Sequence, residues 1–75
     1  MILFQQSLGL RALNERAHSL TCDGYRQFLQ YFGSDVAMIK LVHTNGTRIE
    51  LKYNVRANLL TQRTNGKIVY SSQVY

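Results

Sequence analysis

The chain has one cysteine, no proline and only four acidic residues in 75 positions, and each scarcity removes a class of structure or function. A lone Cys22 excludes an internal disulfide and a cysteine-based zinc site within one chain, and a reducing compartment is its simplest setting. Without proline, low-complexity tracts or a recognisable linker, nothing divides residues 1–75, so a single small domain is expected. No apolar run approaches the roughly 20 residues needed to span a bilayer, and Met1-Ile2-Leu3-Phe4 is too short for the core of a signal peptide. These absences point to a soluble, cytoplasmic protein with no membrane partner. Gly-rich phosphate loops, paired carboxylates and Ser-His-Asp arrangements are also missing, and no cofactor is implied.

What is present suffices to fold. A 45% hydrophobic content with five tyrosines and three phenylalanines is too apolar for a disordered chain. A chain of this length buries only roughly 60% of its unfolded surface, so the core is thin and leaves little room for a deep pocket.

The most informative stretch is Val36 to Asn54, VAMIKLVHTNGTRIELKYN. Ile49, Leu51 and Tyr53 alternate with Arg48, Glu50 and Lys52, the period-two pattern of a half-buried strand. If Asn45-Gly46 formed a two-residue turn, Lys40 would share the apolar face. A three-residue loop, Thr44-Asn45-Gly46, with Gly46 left-handed, instead sets Leu41 opposite Ile49, Ile39 opposite Leu51, Ala37 opposite Tyr53 and Lys40 opposite Glu50. The second register is the one expected, since a slip of one residue would turn a whole strand inside out.

Upstream, Leu10, Leu13, Ala17 and Leu20 are spaced three, four and three apart, which predicts a helix from Ser7 to Leu20. Ser7 is its expected N-cap, Gly9 weakens its first turn, and Arg11 and Arg16 point away from the stripe. Thr21 to Gly24 reads as a break, with Asp23 capping a second helix in which Tyr25, Phe28, Leu29 and Phe32 follow the i, i+3, i+4, i+7 pattern and Gly33 supplies a left-handed end. Tyr31 falls off that stripe and is the better candidate for a contact residue. Met1 to Phe4 fit either a short strand or the lead-in to the helix.

Downstream, Leu59 to Arg63 and Lys67 to Ser71 read as two more strands, and Thr64-Asn65-Gly66 repeats Thr44-Asn45-Gly46 twenty residues on. A three-residue loop here would face Arg63 with Lys67, and a two-residue loop would face Arg63 with Ile68. Ser72 to Tyr75 read as a frayed tail. The expected fold is therefore α+β, with two N-terminal helices packed on an antiparallel β-meander of three to five strands.

Charge is lopsided within that scheme. Before Val36, Arg11, Arg16 and Arg26 are matched by Glu15, Asp23 and Asp35; from Val36 onward, Lys40, Arg48, Lys52, Arg56, Arg63 and Lys67 meet only Glu50, and the net charge is +5. A one-sided basic sheet attracts polyanions, so those six residues, with Tyr31 and His43, form the candidate binding set. Nucleic acid is the first partner class, with Tyr31 or Tyr53 available to stack on bases. An acidic protein surface is the second, in the manner of a small inhibitor of viral or plasmid origin. An unpaired outer strand or the Leu10-to-Leu20 stripe is a candidate homodimer contact.

Candidate chemistry is sparse, and the reading favours a binder over an enzyme. His43 at the hairpin mouth is a candidate general base or phosphate ligand, its alternative being a solvated turn residue. His18 and Cys22 are four apart, but the expected helix breaks between them and no third metal ligand is near, so Cys22 is expected to be a small buried hydrophobe. A short strand, two helices and an antiparallel meander, spanning most of Met1 to Ser71, resembles in element order the RelE/ParE-type toxins, small basic proteins of which some cleave messenger RNA. That resemblance implies an RNase relying on basic and aromatic residues at the sheet and a basic C-terminal segment. This chain departs from it in its uncharged tail, SSQVY.

Overall fold

The computed structural model describes residues 8–74. One helix, α1 (Leu8–Cys22), precedes five strands: β1 (Tyr25–Phe32), β2 (Val36–His43), β3 (Arg48–Asn54), β4 (Leu59–Thr64) and β5 (Lys67–Gln73). The strands form one antiparallel sheet in the order β1-β2-β3-β4-β5, a meander in which every neighbour in space is a neighbour in sequence. The fold is α+β, but only one helix is present among the described residues. The readings of Met1 to Phe4 and of Ser7 as an N-cap lie outside them.

The helix forms where its spacing requires. Leu10, Leu13 and Ala17 are buried against the sheet and Leu20 is half-buried, so the stripe serves the core and is not a free dimer contact. On the sheet the stripe meets Ala37, Ile39, Leu41, Ile49, Leu51, Tyr53 and Leu60. Gly9 is the point of closest approach. A β-carbon there would overlap the Tyr53 ring, whose hydroxyl donates to Asn58 Oδ1 at 2.7 Å. The helix runs on through Cys22, and backbone bonds from Asp23 N to Leu20 O and from Gly24 N to Thr21 O close it. Asp23 therefore belongs to the end of one helix and does not open another.

Tyr25 to Phe32 form a strand where helical spacing was expected, and the physical cause lies in β1 itself. A bulge between Gln27 and Leu29 breaks the alternation, since Gln27 pairs with Leu41 but Leu29 pairs with Lys40. Phe28 and Leu29 become adjacent residues on one face, and a strand with that insertion imitates a helical i, i+3, i+4, i+7 pattern. Aromatic content then favours the pleated surface over the helix. Gly33 is not left-handed; its N–H donates to Val36 O at 2.8 Å and tightens the β1–β2 turn. With a single helix among the described residues, the element order that resembled the RelE/ParE toxins is not found in them.

The central hairpin has the expected register: Lys40 faces Glu50, Leu41 faces Ile49, Ile39 faces Leu51 and Ala37 faces Tyr53. His43 N donates to Thr47 O at 2.9 Å and Gly46 N to His43 O at 2.8 Å, with Gly46 at φ +95°. The second Thr-Asn-Gly makes a different loop. Asn65 and Gly66 both have positive φ, 50° and 86°, the requirement of a two-residue type I′ turn, and Arg63 accordingly faces Ile68. A further register shift between Gln62 and Arg63 sets Gln62 opposite Tyr70 and Leu60 opposite Ser72. Ser72 to Val74 are held more firmly than a frayed tail would be, and Tyr75 lies outside the described residues. β5 continues to Gln73, and Val74 N donates to Asn58 O at 2.8 Å.

Candidate binding face

Because α1 covers one face of the sheet, alternation sends every second side chain to the other, which no described element covers. Register lays that open face out in rows. One row runs Leu29, Lys40, Glu50, Arg63, Ile68; the next, roughly 7 Å along the strands, runs Tyr31, Met38, Lys52, Thr61, Ser71; on the other side lie Arg26, Val42 and Arg48. Five of the nine Lys and Arg residues, Arg26, Lys40, Arg48, Lys52 and Arg63, therefore share this face with one carboxylate.

That carboxylate sits in the middle. Glu50 has Lys40 and Arg63 as cross-strand neighbours and Arg48 and Lys52 two residues away along β3. None of the four comes within ion-pair distance; the pair recorded among the described residues is Arg56–Asp35, at 3.4 Å. The cations are thus spread over the surface and leave their charge available to a ligand. A shallow depression of about 240 Å³ lies between Phe28, Lys40, Arg48, Glu50 and Arg63. It is smaller than the ~300–1,000 Å³ of ordinary small-molecule pockets, which marks the face as a platform and not a cleft.

The expected binding set divides between this face and other places. Lys40, Arg48, Lys52, Arg63 and Tyr31 are brought together on it. Arg56 is at the end of the sheet, tied to Asp35, where Val55 N also donates to Asp35 O. Lys67 opens β5 opposite Thr64, whose hydroxyl accepts from Gln62 Nε2 on the helix side. His43 lies with Ala37, Ile39 and Leu41 on the helix side, edge-on to Tyr25 with ring centroids 5.0 Å apart, and its Nδ1 accepts from Asn45 N at 3.2 Å. The sheet therefore sets His43 apart from Lys40, Lys52 and Arg63, although at the end of β2 it lines a depression with Arg26, Phe28 and Val42. Tyr53 is buried and is not available to stack on a ligand.

Arg26, Phe28 and Leu29 complete the face from a segment expected to be helical. Reading that segment as a bulged strand would have found them, since Phe28 and Leu29 form the adjacent apolar pair that a bulge produces. Phe28 is 49% exposed, Leu29 41% and Tyr31 54%, an apolar strip along the outer strand.

The helix side holds a larger open groove, about 460 Å³, between α1 and β4–β5. Arg16 does not point away from the core as expected. Its Nε donates to the buried Gln62 Oε1 at 2.7 Å, and its guanidinium lies 3.7 Å from the centroid of the Tyr70 ring. Those groups satisfy one another and tie the helix to the sheet. Cys22 is exposed, and because the helix continues past Thr21 its Sγ lies 3.8 Å from His18 Nε2. Among the described residues no group of three or more His, Cys, Asp or Glu side chains is placed to hold a metal ion, and no helix is long and apolar enough to cross a membrane. Compared with models of known families, with curated proteins and with solved structures, the chain matches none.

Proposed function

We propose that this chain is a binding domain for nucleic acid, which it holds on the open face of its sheet. The observation that carries the reading is the gathering of Arg26, Lys40, Arg48, Lys52 and Arg63 around a single Glu50 on the uncovered face. Such a field raises the local concentration of a polyanion and orients it before contact.

The test is the salt dependence of affinity. If about three phosphates are neutralised, log affinity falls against log salt with a slope between about −2 and −3. A flat response removes the reading. An acidic protein partner is the second reading, favoured by the exposed Phe28, Leu29 and Tyr31, since protein interfaces also combine an apolar patch with polar surroundings. Salt-sensitive retention of poly-glutamate together with indifference to oligonucleotides would select it.

A further inference from the structure

We infer that the ligand of the open face is a single strand, its bases stacked on Phe28 and Tyr31 and its phosphates lying over the neighbouring cations. The inference rests on the nucleic-acid reading above and adds strandedness to it. Its basis is the β1 bulge. Phe28 shares the open face with Arg26 by ordinary alternation, whereas Leu29 and Tyr31 would then turn to the helix side; the extra residue between Gln27 and Leu29 shifts the alternation and brings them to the basic rows beside Phe28. The strip so formed stays about half exposed, which is unusual for two aromatic rings and a leucine on one strand of a small domain.

Position decides what the strip fits. Lys40 stands beside Leu29 in one row, Lys52 lies two strands from Tyr31 in the next, and Arg26 is two residues from Phe28 along β1. Ring faces thus occupy one margin and the cations lie chiefly across the middle strands, matching a strand with bases on one side and phosphates on the other. A duplex keeps its base faces stacked inside and would satisfy the cations while leaving the rings uncovered. A second copy of the chain is disfavoured, because two faces each carrying five cations and one carboxylate would oppose each other. Stacking reads a π-face that DNA and RNA bases share, so the ligand is defined by its unpaired bases and not by its sugar.

The experiment compares four labelled probes of equal length at one salt concentration: a thymidine DNA oligomer, a uridine RNA oligomer, a DNA duplex, and an abasic DNA oligomer that keeps only the phosphates. Both single strands are expected to bind at least about tenfold more tightly than the duplex, and the abasic probe to lose that advantage. Phe28→Ala and Tyr31→Ala should each weaken single-strand binding roughly five- to 150-fold with the salt slope unchanged. Arg63→Gln should instead make the slope shallower by about one unit or less. Phe28→Leu, which keeps apolar bulk without the ring, should reproduce the Phe28→Ala loss while thermal melting shows a folded chain. Equal, salt-sensitive binding of all four probes, unaffected by either alanine variant, overturns the single-strand inference and leaves nucleic-acid binding standing. Salt-insensitive binding, or none, overturns both.

Discussion

At Gly9 the helix backbone lies directly against the Tyr53 ring of the sheet. Gly9 lies in the first turn of a helix, where glycine costs about 1 kcal/mol relative to alanine, so propensity alone would make Gly9→Ala stabilising. The Tyr53 ring occupies the space that a β-carbon needs, and Tyr53 is held on its other side by the 2.7 Å bond to Asn58. Overpacking of this kind typically costs 1–3 kcal/mol. We therefore expect Gly9→Ala to lose roughly 1–2 kcal/mol, seen as a lower urea midpoint at unchanged slope. Adding Tyr53→Leu should make the alanine nearly neutral, whereas additive losses would show that Tyr53 is not what excludes it. Arg16 gives the complementary lesson. Off the Leu10-Leu13-Ala17 stripe it reads as a solvated charge, but Gln62 and Tyr70 are more than forty residues away in sequence and draw it in. Helical spacing carries no information about partners that a sheet brings from so far along the chain.

Among the elements, legibility followed the regularity of the backbone. α1 and the β2–β3 hairpin could be read because spacing of three and four, and strict alternation, each correspond to one unbroken geometry. β1 could not, because one inserted residue converts a period-two pattern into one that suits a helix equally well. With β1 misread, Arg26, Phe28 and Leu29 dropped out of the candidate site, while Lys40, Arg48, Lys52, Arg63 and Tyr31 stayed in it. The two Thr-Asn-Gly loops show a similar limit. Identical tripeptides give a three-residue loop after His43 and a two-residue turn after Thr64, where the second spares Arg63 from facing Lys67 and lets Asn65 Oδ1 accept from Arg48 N at 2.9 Å. Which conformation wins depends on what flanks and what touches the loop. Gly46 tests the first of them. Nothing lies within 4 Å of where its β-carbon would be, so a substitution there is opposed by backbone strain alone. Gly46→Ala should cost about 1–2 kcal/mol, and Gly46→Asn less, because asparagine tolerates the left-handed region. Urea unfolding of both variants would check the order, and equal costs would indicate that φ +95° is not what fixes the loop.

For the molecule as a whole, the question is whether binding depends on where positive charge lies or only on how much there is. The sheet divides it into a face that packs α1 and a face that carries Arg26, Lys40, Arg48, Lys52 and Arg63, and the two are separated by the sheet and the side chains on either side of it. At physiological ionic strength the Debye length is about 8 Å, so a charge on the far side of the sheet is largely screened from a ligand on the near side. Arg11 on the helix and Lys52 in the middle of the open face are both exposed, and each becomes a glutamate with the same change in net charge. Lys52→Glu should weaken nucleic-acid binding by about tenfold or more and make its salt slope shallower by about one unit, since it removes a phosphate contact and puts a second carboxylate near Glu50. Arg11→Glu should change affinity by no more than about twofold at 0.15 M salt, with a larger effect appearing only as the salt is lowered and the Debye length grows past the thickness of the sheet. Equal losses from the two variants at 0.15 M would mean that the protein attracts its ligand through total charge, and the open face would then have no special claim to it.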